Sequence, residues 1–480
     1  MSTATALKTV GAFVAGAWVS DGELVELRAP YDGAGIAHVT FGREEHLQRA
    51  IAAAAEAFER TKTMAAHERQ HVLQTIHRHV NDRREEFART LALEAGKPIK
   101  TARAEIERGL FTLQIAAEES TRNYGEYVPL DLQSFTAGRW GLVKRFPLGP
   151  VAAITPFNFP LNLVLHKLAP ALASGCPVVV KPASQTPLSA LLLAECVEQS
   201  GWPMGGVSVI PLKNEDASPL IEDHRFKLLS FTGSSAVGWE LKRRAGKKRV
   251  ALELGGNAAV VIHDDADLMY AAQRCVSGGF SYAGQSCISV QRILVHENAY
   301  EKFLTLFVPG VQALKAGDPL DEATDVGPMI RESDAVRVEE WIAEAENAGA
   351  RVLCGGKRSG SVFQPTVLTK TDASMKVNCM EVFAPVVTVE PYAGFDEAIR
   401  RVNDSVYGLQ AGVFTNDARL LFRAYEQLEV GGVVAGDVPT FRIDHMPYGG
   451  VKDSGTGREG IRYAIEEMTE RKLLVMAVRE

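Results

Sequence analysis

Short apolar runs that alternate with helical stretches fill the middle of the chain and constrain its fold most. Five such runs occupy residues 151–154, 178–180, 207–210, 228–231 and 258–262. Because strands separated by helices build βαβ units, this spacing predicts a parallel sheet. A second series of the same kind follows, between further helical stretches. Its strand-like runs occupy residues 290–296, 386–389 and 412–414.

Other segments lie outside these two series. Residues 44 to about 123 have helical periodicity, with a break at Gly96-Lys97-Pro98. Residues 134–147 are predicted to form a hairpin with Ala137-Gly138 at its turn, and residues 473–478 are predicted to form a further strand. We therefore expect two α/β domains with accessory strands.

Composition excludes several classes of function. The chain has 52 Lys and Arg against 59 acidic residues, and this net charge of −7 gives no broad positive surface for nucleic acid. Its six cysteines form no CxxC pair and no cluster with metal-ligand spacing, so we expect no metal and a reducing, cytoplasmic location. Residues 10–19 are interpreted as an early strand and turn rather than a signal segment. No apolar run approaches about 20 residues, so no membrane partner is expected.

One glycine-rich motif has the letter pattern of a dinucleotide fingerprint, Gly455-Thr456-Gly457-Arg458-Glu459-Gly460. That fingerprint needs a strand before it and a βαβ unit after it, because the pyrophosphate lies on the N-terminus of the unit's helix. Here a polar loop precedes the motif and only 20 residues follow it, so we reject it. The chain also has no GxSxG elbow and no HExxH motif.

Two residues are candidates for chemistry by their local context. Cys287 follows the polar turn Gly284-Gln285-Ser286, where a thiol near a helix N-terminus would ionise readily. The alternative is a small buried hydrophobe, as most free cysteines are. Glu253 lies in an apolar run that ends at Gly255-Gly256, and burial would raise its pKa toward that of a general base. The alternative is a salt-bridged glutamate at the end of a strand.

Seven motifs, in order along nearly the whole chain, resemble the aldehyde dehydrogenase superfamily. They are TPFNFP at 155–160, KPAS at 181–184, FTGS at 231–234, LELGG at 252–256, GQSC at 284–287, EVF at 381–383 and PYGG at 447–450. Glu253 and Cys287 are 34 residues apart, the separation that the family expects. The likeness is greatest to the lactaldehyde, phosphonoacetaldehyde and succinate-semialdehyde dehydrogenase branches.

The resemblance implies two parallel-sheet, Rossmann-like α/β domains with a small β oligomerisation arm. The implied boundaries are 1–124 and 149–256 for a dinucleotide-binding domain, 257–446 for a catalytic domain, 125–148 and 464–480 for the arm, and 447–463 for a returning linker. In the family the arm covers strand edges that would otherwise be exposed. A homodimer or homotetramer is therefore expected.

The resemblance also implies oxidation of a small-molecule aldehyde to its carboxylic acid. Cys287 would attack the carbonyl carbon, and the oxyanion of the thiohemiacetal would bind the Asn158 amide and the Cys287 N–H. Loss of hydride to nicotinamide leaves a thioester, which Glu253 hydrolyses by activating water. CoA-acylating relatives lack this glutamate, so hydrolysis is expected. A cysteine esterase or acyltransferase without hydride transfer, or a catalytically retired binding protein, is the alternative.

The same likeness implies that the cofactor, NADP or NAD, binds without a glycine fingerprint. Ser234, at the start of a helix, would meet the pyrophosphate. Lys181 would reach the adenine ribose, and Glu381 the nicotinamide ribose. The other implied cofactor positions are Ile154, Thr155, Pro156, Phe157, Ser184, Gly233, Val237, Leu254 and Phe383.

Ser184 bears on the choice between the two cofactors. Many NAD-preferring members carry a glutamate there, which repels the 2′-phosphate of NADP, so we expect NADP to be accepted. The stretch after the next strand leaves the preference open, because Lys213 would favour a 2′-phosphate whereas Glu215 and Asp216 would oppose one.

Four residues are candidates for binding the substrate. Asn162 and His166 lie where relatives acting on apolar aldehydes have apolar or aromatic groups, so a hydroxyaldehyde or semialdehyde is expected. A bond from His166 to the helix scaffold is the alternative. Arg442 and His445 would supply a cation to a carboxylate or phosphate.

Two observations weaken the case for a strongly anionic substrate. Arg442 has an alternative use, which is to pair with Asp444 or Asp437. Ser286 precedes the nucleophile, where some relatives acting on phosphorylated aldehydes place an arginine, and this argues against a phosphonate.

Overall fold

The computed structural model describes residues 7–122 and 124–478. The helices of this part of the chain, α1 to α15, are Glu44–Thr61, Ala66–Asp82, Arg84–Ala95, Ile99–Glu119, Asn162–Ser174, Leu188–Glu198, Ser218–Glu222, Ser235–Arg244, Leu268–Phe280, Glu297–Gln312, Glu332–Asn347, Lys376–Cys379, Phe395–Asn403, Ala418–Gln427 and Ile461–Glu467. The predicted helical region holds α1 to α4, and the predicted break separates α3 from α4. Gly96 ends α3 in the left-handed conformation, with a φ of 65°, which glycine adopts without steric cost.

The strands of the described chain are mostly short. In chain order, β1 to β25 are Thr9–Val10, Ala12–Val14, Ala17–Val19, Glu23–Arg28, Gly35–Phe41, Glu126–Pro129, Arg139–Pro147, Val151–Ile154, Val178–Lys181, Val207–Val209, Leu228–Thr232, Arg249–Glu253, Ala259–Ile262, Arg292–His296, Arg351–Cys354, Arg358–Ser359, Val362–Phe363, Thr366–Thr369, Val386–Tyr392, Tyr407–Gly408, Gln410–Phe414, Gly432–Ala435, Val451–Lys452, Gly455–Thr456 and Thr469–Ala477. The early strand and turn predicted at 10–19 are present as the antiparallel pair β2 and β3.

An eight-stranded sheet forms the first α/β unit, in the order β24-β12-β11-β8-β9-β10-β2-β3. The five strands from β12 to β10 in this order are parallel. The strands toward the edges, β24, β2 and β3, pair antiparallel. The predicted parallel sheet is confirmed for four of the five apolar runs, whereas the run at 258–262 forms β13 in a second sheet.

A seven-stranded sheet forms the second α/β unit, in the order β15-β18-β19-β14-β13-β21-β22. Its neighbouring strands are parallel except β15 and β18. The flanking helices follow from the spacing of apolar residues. In α13, for example, Phe395, Ala398, Ile399 and Val402 recur every three or four residues and are buried.

A three-stranded antiparallel sheet, in the order β25-β7-β6, lies apart from both larger sheets. β25 pairs with β7 along its whole length, from Thr469 opposite Pro147 to Ala477 opposite Arg139. The further strand expected at 473–478 is therefore present and begins earlier, at Thr469.

The hairpin predicted at 134–147 is wrong in its first strand. Residues 134–136 form a 3₁₀ turn in which the Thr136 hydroxyl donates to the Gln133 carbonyl, so they are not available to a strand ladder. β7 pairs instead with β6, which places Pro129 opposite Trp140. The connection between the two strands is consequently longer than a two-residue turn at Ala137-Gly138.

Two short elements near the end of the described chain join the first α/β unit. β24 extends the eight-stranded sheet beside β12. Helix α15 buries Ile461 and Ile465 in the same core as α2 to α5. The domain boundaries stay a prediction, and residues 1–6, 123 and 479–480, which those boundaries include, lie outside the described residues.

Across residues 7–122 and 124–478, no helix is long and apolar enough to cross a membrane. The six cysteines are free thiols. Cys176, Cys196 and Cys275 are buried, whereas Cys287, Cys354 and Cys379 are partly exposed.

Candidate active site

A cavity of about 980 Å³ opens where the parallel strands of the first sheet end. Ligands of α/β proteins bind at the carboxyl ends of such strands. The predicted site residues that line the cavity are Ile154, Thr155, Pro156, Phe157, Asn158, Asn162, Lys181, Ser184, Gly233, Ser234, Val237, Glu253, Leu254, Cys287, Glu381, Phe383 and Arg442. The structure therefore brings the predicted nucleophile, base, amide and cofactor positions to one space. His166 and His445 are not part of its lining.

The chain reaches Cys287 through a strained loop. Tyr282 and Ala283 adopt positive φ angles of 49° and 53°, which L-residues rarely take. At Gly284 a Cβ would lie 2.1 Å from the carbonyl oxygen of Ala384, so only glycine fits. The close approach of the two backbones holds the turn before Cys287 in place.

The Cys287 thiol is partly buried and shares a hydrogen bond of 2.9 Å with the Tyr448 hydroxyl. Burial raises its pKa to about 11. The expectation of an easily ionised thiol at a helix N-terminus is wrong, because a turn follows Cys287 and the next regular element is the strand that starts at Arg292. Among its neighbours, Tyr448 and Arg442 act in the opposite direction to burial and lower the pKa of the thiol.

The Asn158 side chain is buried beside the turn that precedes Cys287. Its amide nitrogen donates to the Gln285 carbonyl at 3.0 Å, which leaves its second amide hydrogen free. In the described part of the chain, neither its buried side-chain oxygen nor the backbone N–H of Cys287 has a hydrogen-bond partner. The site can thus offer two donors to a developing oxyanion.

A buried ion pair between Lys97 and Glu105 holds the backbone around Asn158. The Lys97 ammonium also donates to the Asn158 carbonyl at 2.8 Å. One oxygen of Glu105 accepts from the backbone N–H groups of Leu161 and Asn162, each at 3.1 Å. This pair was not predicted from the sequence, because Lys97 lies in a segment whose pattern indicates only a helix break.

Glu253, at the end of β12, is buried, and the oxygen Oε2 of its carboxyl group finds no partner among the described residues. Its pKa is raised well above the ordinary value, first by burial and then by the nearby charge of Glu459. This is the direction expected from the sequence, and it makes the ionised carboxylate a strong base.

Glu459 lies at the centre of a charged cluster and lines the cavity together with Arg442. It accepts from Arg442 at 2.9 Å and from Lys167 at 3.2 Å. These two cations hold its pKa low in spite of burial, so it stays ionised. The alternative partners considered for Arg442 contribute less: Asp444 lies 3.9 Å away, and Asp437 pairs with Arg274 instead.

Asp444 lies at the centre of a second polar cluster. It accepts two hydrogen bonds from Arg108, at 2.7 and 3.2 Å, and one from the Asn162 amide at 3.2 Å. His166 contacts the same carboxylate at 2.8 Å and is buried, so its partner is the Asp444 side chain, which does not belong to a helix. His445 is exposed, and its ring packs edge-on against Phe111.

The other end of the cavity fits a phosphorylated ligand. Ser234 is the N-cap of α8, whose first turn presents free N–H groups and the positive end of the helix dipole. Lys181 is buried in the wall and donates to the Asn214 side-chain oxygen at 3.1 Å, and burial lowers its pKa to about 8. The hydroxyl of Thr155 is buried without a partner in the described chain. An anionic, hydroxyl-rich dinucleotide would satisfy these groups.

Glu381 lines the same cavity. Its carboxylate accepts from the Gly256 N–H at 2.9 Å, and burial raises its pKa to about 7. At Gly255 a Cβ would come within 2.2 Å of the carboxylate, so the glycine pair makes this approach possible. Phe383 follows with a positive φ of 52° and packs edge-on against Phe157.

The stretch expected to influence cofactor choice contributes one residue to the cavity. Asn214 lines it next to Ser184, whereas Lys213, Glu215 and Asp216 do not. Lys213 instead pairs with Glu23 at 2.7 Å on the surface.

Comparison with known proteins identifies this architecture. Residues 18–474 match the aldehyde dehydrogenase family. The chain belongs to that family. The 3-sulfolactaldehyde dehydrogenase of Priestia megaterium is 45% identical over 99% of this chain and 100% of its own length.

Two solved structures are similar over nearly their whole length. Aldehyde dehydrogenase 21 from Physcomitrella patens, in complex with the reaction product succinate, is 46% identical with a TM-score of 0.97, covering 98% of this chain and 99% of that one. Glyceraldehyde-3-phosphate dehydrogenase GapN from Methanocaldococcus jannaschii, complexed with NADP, is 39% identical with a TM-score of 0.92, covering 96% and 100%. The predicted family, fold and enzyme class are confirmed: this is an NAD(P)-dependent aldehyde dehydrogenase. Solved members hold NADP or NAD⁺.

The dehydrogenase site contains residues that sequence analysis missed. They are Lys97, Glu105, Arg108, Lys167, Tyr448 and Glu459. Tyr448 lies in the PYGG motif and Glu459 in the glycine-rich motif at 455–460, so both could have been selected as site candidates from the sequence. Arg108 lies on the face of α4 that also bears the buried Glu105, one turn away, and it was not distinguished from the other charged residues of that helix.

Proposed function

We propose that this aldehyde dehydrogenase oxidises a small, polar aldehyde, a hydroxyaldehyde or semialdehyde, to its carboxylic acid through a thioester on Cys287. The observation that carries the proposal is that Cys287, Asn158 and Glu253 line one cavity, which also reaches Lys181 and Ser234. Oxidation through a covalent thioester needs a nucleophile, oxyanion donors and a base within reach of the same carbon.

Acylation starts when Cys287 loses its thiol proton to water and the resulting thiolate bonds to the aldehyde carbon. The negative charge that develops on the carbonyl oxygen is stabilised by the free Asn158 amide hydrogen and the Cys287 N–H. The Lys97–Glu105 pair keeps the Asn158 backbone in place as charge develops. When bound, NAD or NADP supplies the acceptor for the hydride that leaves the substrate carbon.

Deacylation uses Glu253 as the general base. Its carboxylate takes a proton from water, the water oxygen attacks the thioester carbon, and the Cys287 thiolate leaves. Glu459 supports this step through its charge, because an ionised neighbour raises the pKa of Glu253 and so its basicity.

NADP and NAD are proposed to occupy the end of the cavity lined by Lys181, Ser184 and Ser234. Since the side chain at position 184 is a serine, a 2′-phosphate meets no carboxylate at that position, and Lys181 supplies a cation. We therefore propose that NADP is accepted.

The preference for a polar substrate is supported by the wall beyond Cys287. Arg108, Asn162 and Thr440 contribute polar groups to it. The relatives point the same way, since they are named for 3-sulfolactaldehyde and lactaldehyde, and a similar structure holds succinate.

Arg108 is the proposed contact for an anionic tail. It binds Asp444 through Nε and Nη2, which leaves Nη1 without a protein partner in the described residues, and about a third of its side chain is exposed. Arg442, favoured by sequence analysis, is almost wholly buried and its charge is matched by Glu459.

An Arg108→Gln variant is expected to raise KM for succinate semialdehyde by about tenfold, because a charge-assisted hydrogen bond is lost. KM for the neutral lactaldehyde should change little. Steady-state kinetics with both aldehydes measure the difference. Arg103→Gln is the matched control, since Arg103 lies on the same helix but binds Glu85 and Glu322 at the surface. Equal changes for the two aldehydes would contradict the assignment.

The small β sheet is proposed to mediate assembly with further copies of the chain. β25 exposes a run of apolar side chains, Leu473, Leu474, Val475 and Met476. Such surfaces usually mark a protein contact. A homodimer or homotetramer is proposed on this basis, and a cytoplasmic location stays a prediction from cysteine usage.

A further inference from the structure

One contact at the nucleophile has no part in the mechanism above. The Tyr448 hydroxyl lies 2.9 Å from the Cys287 sulfur, and the Tyr448 side chain is only 3% exposed. The two residues pack together with Ile288 and Leu409 in a small buried cluster. Little water can therefore replace the phenol as a partner of the sulfur.

The Tyr448 ring carries a cation on its face. The Arg442 guanidinium carbon lies 3.7 Å from the ring centroid, and Glu459 holds the guanidinium there. A cation over an aromatic face is attracted to the ring electrons, and its charge favours the polarised, donating form of the phenol O–H. Arg442, Tyr448 and Cys287 thus form a continuous series of contacts that ends at the reacting atom.

We propose that Tyr448 is a catalytic residue that donates a hydrogen bond to the Cys287 thiolate, and that Arg442 is a positioning residue that strengthens this donor through the Tyr448 ring. The proposal rests on the proposed function only in taking Cys287 as the nucleophile. No proton is transferred from Tyr448, which keeps its own. The thiol proton of Cys287 passes to solvent water, and the phenol hydrogen of Tyr448 then points at the thiolate.

The surroundings of the thiol explain why such a donor matters. The charged groups that face it are Glu253 from β12, Glu381 from the loop after α12, and Arg442. Burial and the two carboxylates oppose the thiolate, whereas Tyr448 and Arg442 favour it. Burial also raises the pKa of Tyr448 well above its usual value, so the phenol donates without ionising.

The test measures thiol ionisation in the free protein. Iodoacetamide alkylates only the thiolate, and peptide mass spectrometry separates Cys287 from Cys354 and Cys379. In Tyr448→Phe, alkylation of Cys287 below its pKa should be about tenfold slower, because one pKa unit changes the thiolate fraction tenfold. The pH profile should accordingly move upward by about one unit.

Tyr392→Phe is the matched control. It removes the hydroxyl of another buried tyrosine, which contacts His263 at 2.9 Å beside the second sheet, and it should leave the Cys287 profile unchanged. An unchanged or lowered Cys287 pKa in Tyr448→Phe overturns the proposal. Because neither aldehyde nor cofactor is present, a failure of the oxidation assay does not affect this result.

Arg442→Lys tests the positioning role proposed for Arg442. It also keeps the proposal testable if Tyr448→Phe does not fold. The lysine keeps a positive charge for Glu459 but loses the planar group stacked on Tyr448. The pH profile of Cys287 alkylation is expected to move to higher pH. Alkylation at a fixed pH should then be about threefold slower. No shift would remove Arg442 from the proposal.

Discussion

Replacement of Cys287 by alanine is expected to reduce aldehyde oxidation by more than about 10⁴-fold with either cofactor, since removal of a covalent nucleophile abolishes the main reaction path. The mutation removes a partly exposed sulfur and leaves the Asn158 amide and Glu253 in place, so the fold should persist. The rate of cofactor reduction with the purified variant measures the effect.

Cys354→Ala and Cys379→Ala provide the controls for this prediction. Both thiols are partly exposed, like Cys287, but neither lines the cavity. Both variants should retain nearly full activity. A Cys287→Ala enzyme that oxidises aldehydes at a comparable rate would contradict the assignment of the nucleophile.

A Glu253→Gln variant is expected to stop after the first half of the reaction. Acylation does not need the carboxylate in the proposed mechanism, whereas hydrolysis of the thioester does. One equivalent of reduced cofactor per site should therefore appear in a burst, followed by turnover about 10²- to 10⁴-fold below wild type. Rapid-mixing absorbance measures the burst, and intact-protein mass spectrometry should find the acyl group on Cys287.

The pH profile gives an independent check on Glu253. Only the ionised carboxylate accepts a proton from water, so the deacylation rate rises with pH through its pKa. Burial and Glu459 raise that pKa, so the rising limb of the wild-type pH profile should lie above the usual pKa range of a glutamate. The slow turnover of Glu253→Gln should show no such limb. If Glu253→Gln gave no burst and kept the rising limb of the wild-type pH profile, another group would be the general base.

The chain's sheets could be predicted because their strands are buried and apolar. The runs that became β8, β9, β10 and β11 read as nearly continuous apolar segments, as expected of parallel strands covered on both faces. β12 was harder to recognise, because Arg249 and Glu253 stand at its two ends. The hairpin was misplaced because local turn residues do not determine which strand β7 pairs with.

Only those residues of the candidate site that lie in the ordered family motifs could be predicted from the sequence. The seven motifs indicate Cys287, Asn158 and Glu253, which the fold brings to one cavity. The contacts that set their electrostatics join residues far apart in the chain. Tyr448 is 161 residues from Cys287, and Arg108 is 336 residues from Asp444. No local pattern encodes such pairs. The pKa of the thiol was expected in the wrong direction because its burial, which raises the pKa, arises from the tertiary fold.

The most direct test of the central claim is the absorbance of reduced nicotinamide, measured with the wild-type protein and a panel of aldehydes. The panel contains lactaldehyde, glyceraldehyde, succinate semialdehyde, phosphonoacetaldehyde and hexanal, each with NADP and with NAD. We predict reduction of the cofactor, NADP included, with the small polar aldehydes at a higher kcat/KM than with hexanal. Failure to reduce either cofactor with any aldehyde would contradict the account, and a preference for hexanal would contradict the assignment of a polar substrate.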